Sequence, residues 1–224
     1  GASPTLAVEA DAAAFAAALL PLIDRAPAAA ADLAACSAAP AATAEPRIGR
    51  HIPLLDAIWE AHPEAIVVGD SAEPAYAGLI GARPPAPRRW FTTATGFGTL
   101  GYALPAAIGA ALAKPGAPVV ALAGDGGALY TLPELAAAAE ARVPVVLLIW
   151  NNDGYGEIRH WMTDRQIEPE GVDLSPVDFE ALARGFGAGY ARAADAQEVA
   201  AAVAAAARGA KPTVVEMQKR DWRF

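Results

Sequence analysis

The sequence is short of cysteine and of basic residues. Among its 224 residues there is one cysteine, Cys36, and the 17 lysines and arginines are outnumbered by 25 aspartates and glutamates. A single cysteine excludes an intramolecular disulfide, so we expect a cytoplasmic protein with a thiol that is buried or inert rather than catalytic. The net charge of −8 argues against nucleic acid or an anionic membrane as a partner.

Long apolar runs are also missing. The longest, at residues 143–150, has about half the length that a membrane span requires, and no basic segment followed by an apolar one opens the chain. Hydrophobic residues nevertheless make up 54% of the sequence, which is enough for the core of one domain with an appendage. Because the chain opens on Gly1-Ala2-Ser3 without a methionine, we expect a piece of a longer protein.

Two stretches before His51 differ from the rest of the chain. The sequence DAAAFAAALLPLI, at residues 11–23, has strong helix formers with apolar residues at helical spacing, and it predicts a helix. The sequence SAAPAATAEPR, at residues 37–47, consists mostly of small residues and proline. We interpret residues 36–50 as a linker.

From His51 onward, strand and helix patterns alternate. Predicted strands are AIVVGD, APVVALAGDGG, VPVVLLIW and PTVVEMQ, and predicted helices span about 53–61, 104–113, 132–141, 176–186 and 196–207. Thr131 and Glu134 predict a capping box for the third helix, and the prolines at 84–87 predict a long loop. The run VPVVLLIW is apolar on both faces, as a central parallel strand must be. The alternation predicts a three-layer α/β/α fold with a mostly parallel central sheet.

Polar motifs follow two of these strands. Asp125 lies in GDGG, and Asn151-Asn152 opens NNDGYG. Ligands of parallel sheets bind beyond the carboxyl ends of the strands, so the two motifs should be neighbours. The glycines let backbone N–H groups approach an anion, and carboxylate, amide and carbonyl oxygens suit Mg²⁺ bridged to a phosphate. Either motif taken alone would more simply be a turn; together they predict a metal-diphosphate site.

The pair of motifs resembles the signature of thiamine diphosphate (ThDP) enzymes, the family of acetolactate synthase, benzoylformate decarboxylase and pyruvate decarboxylase. That family has G-D-G and N-N separated by one helix and one strand, and the 27 positions from Asp125 to Asn152 match its spacing. The segment GFGTLGYALPAAIGAALA, at residues 96–113, is similar to the family's segment beneath the two cofactor rings. Within the family, VGDSAEPAYAG and NNDGYGEIRHWM look most similar to 5-guanidino-2-oxopentanoate decarboxylases and their acetolactate-synthase-like relatives.

The resemblance covers roughly residues 51–218 and implies that residues 51–224 are the C-terminal diphosphate-binding domain, with residues 1–35 as the end of a preceding, middle domain. It implies that three residues bind Mg²⁺: Asp125 and Asn152 through their side chains and Gly154 through its carbonyl. It also implies a set of cofactor-binding positions, which are Ser71, Ala72, Glu73, Gly98, Leu100, Gly126, Gly127, Asn152, Tyr155, Gly156 and Glu157.

Three of these positions stand out. Leu100 matches the bulky residue that bends the cofactor into a V shape, although a leucine here could equally belong to the core. Ala72 lacks the polar side chain with which relatives commonly bind the diphosphate. Glu73 would bring negative charge toward the diphosphate unless it points away.

The resemblance implies attack of the cofactor's C2 carbanion on a 2-oxo acid and loss of carbon dioxide, followed by protonation or by carboligation to a second carbonyl. Family members also need a glutamate from a pyrimidine-binding domain of the same or a partner chain, usually within a homodimer or homotetramer. Glu9, Glu45 and Glu60 lack its sequence context and are interpreted as surface carboxylates. The chain should therefore hold half of an active site.

Several alternatives stay open at this point. Arg159 could bind a substrate carboxylate or be a solvated charge, and His160 could face a substrate or simply pack. The chain could be a natural subunit of a two-chain decarboxylase. It could also be a non-catalytic module that keeps the fold for assembly or for another diphosphate ligand.

Overall fold

The computed structural model describes residues 7–23 and 45–224. The chain divides into two compact units, Gly1–Cys36 and Ser37–Phe224. In the first unit the predicted helix is present as α1 (Ala12–Leu19), which is followed by a 3-10 turn at Leu20–Leu22. The Asp11 side chain accepts the Ala14 N–H at 2.9 Å and caps α1. Cys36 and most of the predicted linker lie outside the described residues.

The second unit is built on a six-stranded sheet in which every strand pair is parallel. Its strands are β1 (Ile66–Gly69), β2 (Trp90–Thr92), β3 (Val119–Gly124), β4 (Val145–Asn151), β5 (Gly189–Arg192) and β6 (Thr213–Gln218). Their order across the sheet is β2-β1-β3-β4-β6-β5. The chain runs from β1 outward to β2 and then crosses to β3 on the other side of β1. This change of direction leaves a crevice at the carboxyl ends of β1 and β3.

Helices cover both faces of the sheet. The helices of this unit are α2 (Pro46–Gly49), α3 (Ile52–Ala61), α4 (Glu73–Gly81), α5 (Ala103–Ala113), α6 (Asp125–Ala128), α7 (Glu134–Glu140), α8 (Gly156–Asp164), α9 (Phe179–Gly185) and α10 (Ala196–Ala207). One buried cluster joins the sheet to α5, α7 and α9, and a second joins it to α3, α4 and α10. The predicted three-layer α/β/α architecture with a parallel sheet is therefore confirmed.

Strand β4 shows why the run VPVVLLIW is apolar throughout. All seven of its residues are buried, and it pairs with β3 on one side and β6 on the other. Val145, Leu147 and Ile149 belong to one core cluster, whereas the alternate residues Val146, Leu148 and Trp150 belong to the other. Successive side chains of a strand point to opposite faces, so a strand between two helix layers must be apolar at every position.

Three elements were missing from the sequence prediction: α4, β2 and β5. Helix α4 consists largely of alanine, glycine and proline that are buried on several sides, so no single apolar stripe marks it. Strand β2 has only three residues. Its Trp90 ring packs so closely against α4 that a Cβ atom on Gly78 would lie 2.4 Å from the ring. The long loop predicted around residues 84–87 is therefore shorter than expected.

The predicted capping box is wrong. The Thr131 hydroxyl donates to the Gly101 carbonyl at 3.0 Å, and α7 begins at Glu134 after Pro133, without a side-chain cap. The last part of the predicted linker is also structured, because residues 46–49 form α2 and Ile48 is buried. Within residues 7–23 and 45–224, no helix combines the length and apolar character that a membrane crossing needs.

The contact between Gly78 and Trp90 gives a prediction for stability. Gly78→Ala should lower the free energy of unfolding by about 1–3 kcal/mol, because the new methyl group must displace the Trp90 ring. Gly109→Ala is the matched control: it lies on an exposed part of α5 with no other atom within 4 Å of the new Cβ, and it should raise the free energy of unfolding by about 0.5–1 kcal/mol. Urea denaturation of both variants measures the difference, and equal effects would contradict this packing.

Candidate functional site

A pocket of about 310 Å³ opens at the carboxyl ends of β1, β3 and β4. Its wall is formed by residues 71–73, 124–127 and 152–158 with two residues from the segment before α5. Every residue that the sequence analysis proposed for the site lines this pocket: Ser71, Ala72, Glu73, Gly98, Leu100, Asp125, Gly126, Gly127, Asn152, Gly154, Tyr155, Gly156 and Glu157. The sequence analysis missed five other lining residues, which are Tyr76, Ala94, Gly124, Trp150 and Ile158.

The pairing of β3 with β4 brings the two polar motifs together. Gly124 and Trp150 are partners in this pairing, so the residues after them lie side by side. Asp125 is buried, and its carboxylate accepts the Gly154 N–H at 2.8 Å. Burial raises the pKa of Asp125, and hydrogen bonds from the backbone of Asn152 and Gly154 partly oppose that rise. A buried carboxylate with this little compensation is a suitable ligand for a cation.

The Asn152 side chain completes a group of three donors. One terminal atom of its amide lies 3.1 Å from Asp125 Oδ1 and 2.7 Å from the Gly154 carbonyl oxygen. If that atom is the nitrogen, the amide donates hydrogen bonds to both oxygens. If it is the oxygen, three oxygens converge at separations close to the roughly 3 Å between neighbouring ligands of octahedral Mg²⁺. The donor set is thus compatible with Mg²⁺ in both chemistry and spacing.

The first asparagine of the pair has a structural role instead. Asn151 is buried at the end of β4, where its amide nitrogen donates to Glu216 Oε1 at 2.7 Å. Its side-chain oxygen accepts the Asp153 N–H at 3.1 Å. Asn151 therefore fixes the turn that follows β4, and Asn152 is the asparagine that reaches the pocket.

Two glycines let the pocket wall close around this group. A Cβ atom on Gly156 would lie 2.3 Å from the Asn152 amide nitrogen, and one on Gly126 would lie 2.6 Å from the Tyr155 ring. Any side chain at either place would have to push a pocket residue aside. The glycines of GDGG and NNDGYG are therefore required by close approach, and not merely by turn geometry.

Asp70, which the sequence analysis did not select, organises the opposite wall. Its buried carboxylate accepts the Ser71 N–H at 2.8 Å and the Gly101 N–H at 2.7 Å. The Ser71 hydroxyl in turn donates to the Gly98 carbonyl at 2.9 Å. Burial raises the pKa of Asp70, although these amide hydrogen bonds oppose the rise. The segment that carries Gly98 and Leu100 is therefore tied to the end of β1.

Leu100 projects into the pocket and does not belong to either core cluster. It is half-buried, and one of its methyl groups lies 3.5 Å from the place that a Cβ on Gly127 would occupy. The interpretation of Leu100 as a core leucine is therefore wrong. An apolar side chain at this position narrows the pocket between the segment before α5 and the GDGG turn.

Glu73 lies at the pocket wall, but basic groups hold its carboxylate. The carboxylate is 3.1 Å from Arg47 Nη1 and 3.3 Å from Lys219 Nζ, and its other oxygen is 3.4 Å from the buried His51 ring. Burial by itself would raise the pKa of Glu73, but hydrogen bonds from His51, Lys219 and Arg47 outweigh it and lower the pKa to about 2. Glu73 is therefore ionised at neutral pH.

Arg159 and His160 lie outside the pocket. Arg159 forms an ion pair with Asp173 in the loop that flanks Gly154. His160 lies 3.3 Å from Asp164 and lines an adjoining groove with Arg47 and Trp161. Glu9, Glu45 and Glu60 are exposed, in agreement with their interpretation as surface carboxylates.

The comparisons with known proteins agree with this arrangement. Residues 75–217 match the family described as "Thiamine pyrophosphate enzyme, C-terminal TPP binding domain"; thiamine pyrophosphate is another name for ThDP. The chain is 43% identical over 178 residues to a probable 2-ketoarginine decarboxylase, AruI, of Pseudomonas aeruginosa, which covers 79% of this chain and 32% of the relative. It is 36% identical to the benzoylformate decarboxylase of the same organism, over 73% of this chain and 30% of the relative.

A solved structure gives the same result for the fold. The ThDP-dependent 4-hydroxybenzoylformate decarboxylase of Rhodococcus jostii RHA1 superimposes with a TM-score of 0.67 at 31% identity, over 77% of this chain and 33% of that one. The chain therefore spans about a third of the length of the relatives that it matches. It belongs to the family of thiamine pyrophosphate enzymes that contains decarboxylases and acetolactate synthases, and it carries that family's C-terminal cofactor-binding domain.

Proposed function

We propose that this domain binds ThDP through Mg²⁺ and forms the diphosphate-binding half of the active site of a 2-oxo acid decarboxylase or an acetolactate-synthase-like carboligase. The observation that carries the proposal is the convergence of Asp125, Asn152 and the Gly154 carbonyl at one place in the pocket. One carboxylate and two neutral oxygens leave the cation enough positive charge to attract a diphosphate.

Each wall of the pocket has its own task. Asp125, Asn152 and Gly154 would hold the metal. The backbone N–H groups of residues 126–127 and 155–156 would approach the diphosphate, because the glycines there leave the backbone accessible. When bound, ThDP supplies a carbanion centre that can attack the carbonyl of a 2-oxo acid and accept the electrons released with carbon dioxide.

The opposite wall would support the ring end of the cofactor. Leu100 fills the space between the two walls and would keep the two rings from extending. The Gly98 carbonyl accepts one hydrogen bond, from Ser71, which leaves a lone pair for an amino group of the ligand. Asp70 would fix both residues through its bonds to the backbone of Ser71 and Gly101.

The described residues supply only part of what the reaction needs. The acidic side chains that line the pocket are Glu73, Asp125 and Glu157. Arg47 pairs with both glutamates, and Asp125 would be a metal ligand, so none of the three is free to protonate an aminopyrimidine ring. A pyrimidine-binding domain of the same or a partner chain would provide this acid, within a homodimer or homotetramer. The complete set of metal donors argues against a non-catalytic module.

The substrate class follows from the relatives alone. Their printed activities, on 2-ketoarginine and benzoylformate, share a 2-oxo acid group. We propose a 2-oxo acid as the substrate of the whole protein, with either decarboxylation or carboligation as the outcome.

The metal site can be tested by isothermal titration of ThDP into the protein with and without Mg²⁺. Wild type should bind ThDP saturably with Mg²⁺ and at least tenfold more weakly without it, because the diphosphate would meet Asp125 with no cation between them. Asp125→Ala should abolish the effect of Mg²⁺. Asp221→Ala, an exposed aspartate outside the pocket, serves as the matched control and should bind like wild type. Binding by Asp125→Ala that still depends on Mg²⁺ would disprove the proposed site.

A second test uses the close approach at Gly156. Gly156→Ala should weaken Mg²⁺-dependent ThDP binding by more than tenfold, because its methyl group would displace the Asn152 amide from the metal site. Gly185→Ala is the matched control: it also lies in a helix, and no atom lies within 4 Å of its new Cβ. Titration of both folded variants gives the comparison, and unchanged affinity in Gly156→Ala would contradict a role for Asn152 in this place.

A further inference from the structure

The wall of the pocket carries an unfavourable charge for a diphosphate. Among its lining residues are three carboxylates, of Glu73, Asp125 and Glu157, and no lysine or arginine. A cation bound to Asp125 would offset one of them. The two glutamates remain as negative charges that would repel the diphosphate. The question of how they are neutralised rests on the proposed function, since it arises only if the ligand is an anion.

Both glutamates occupy the ends of helices where an anion would otherwise be attracted. Glu73 is in the first turn of α4, and Glu157 is in the first turn of α8. The N-terminal end of a helix attracts negative charge, whether from a side chain or from a ligand. Unneutralised glutamates would therefore compete with the diphosphate for the same two helix ends.

A single arginine contacts both carboxylates from outside the pocket. Arg47, in the short helix α2, lies in the adjoining groove. Its Nη1 is 3.1 Å from Glu73 and also contacts Glu157, and its Nη2 is 3.4 Å from the second oxygen of Glu157. The arginine side chain is only 21% exposed, so solvent screens these ion pairs weakly.

The two glutamates do not depend on Arg47 equally. Lys219 lies 3.3 Å from Glu73 and Arg50 lies 3.9 Å from it, so that carboxylate has further basic neighbours. Glu157 differs, because within residues 45–224 no lysine or arginine other than Arg47 comes within 4.0 Å of it. Loss of Arg47 would therefore leave the charge of Glu157 without compensation at the pocket wall.

We propose that Arg47 is a positioning residue for the cofactor: by pairing with Glu73 and Glu157 it neutralises both charges and draws the carboxylates away from the helix ends that receive the diphosphate. Arg47 itself does not touch the ligand. Its guanidinium is suited to this because its planar fork can serve two carboxylates at once.

The test is isothermal titration of ThDP with Mg²⁺ into four forms of the protein: wild type, Arg47→Gln, the double variant Arg47→Gln/Glu157→Gln, and Arg184→Gln. Arg184→Gln is the matched control, since it removes the same charge from an exposed pair with Glu180. We expect Arg47→Gln to bind roughly ten- to fiftyfold more weakly than wild type, with a gap that narrows as salt is added. The control should bind like wild type.

The double variant separates charge from structure. It lacks the ion pair but also lacks the charge of Glu157, so it should recover most of the lost affinity. Circular dichroism establishes that each form is folded. If Arg47→Gln does not fold, Glu157→Gln alone takes its place and should bind at least as tightly as wild type, because Arg47 then leaves a surplus positive charge.

The outcomes are distinct. A wild-type protein that does not bind ThDP overturns the proposed function and this inference with it. Wild-type binding that is unchanged in Arg47→Gln overturns the role of Arg47 alone. A double variant as weak as Arg47→Gln, or a Glu157→Gln variant weaker than wild type, would show that the ion pair acts only as a structural contact and would also overturn that role.

Discussion

The parallel pairing of β3 with β4 is the constraint on which the rest of the site depends. It sets the ends of two buried strands side by side, so that Asp125 and Asn152 meet although a helix and a strand separate them in the sequence. The pairing survives because both strands are apolar on both faces and are held between two helix layers. Polar groups can then be concentrated where the strands stop, and they bind each other there through the Gly154 N–H and the Asn152 amide.

The sequence carried enough information for the architecture and for most of the pocket wall. Strands such as β4 and helices such as α10 have strong patterns, and the glycine-flanked Asp125 has few physical explanations other than a turn or an anion site. The elements that were missed have weak patterns for identifiable reasons. Helix α4 is buried on several sides and shows no amphipathic stripe, and β2 is a three-residue strand whose position depends on the Trp90 ring.

Residues that act at a distance were harder to identify. Asp70 follows a strand as Asp125 does, and this was a signal that could have been used; its role, however, is to bind the backbone of Gly101, 31 residues later. Arg47 lies 110 residues from Glu157 in a stretch whose composition indicates a linker, and no local pattern connects the two. Thr131 shows the opposite error, because a correct local motif was overridden by a tertiary hydrogen bond to Gly101.

The neighbours of Glu73 have a consequence for the topology of the whole domain. Arg47, near the beginning of the described part of this unit, and Lys219, just after its last strand, bind the same carboxylate oxygen. The two ends of the α/β unit are therefore adjacent in space, as is common in compact domains. A domain with adjacent ends can be inserted into a larger protein, or circularly permuted, without stretching its connections across the sheet. The carboxyl ends of β1, β3 and β4, where the pocket lies, stay the same under such a rearrangement.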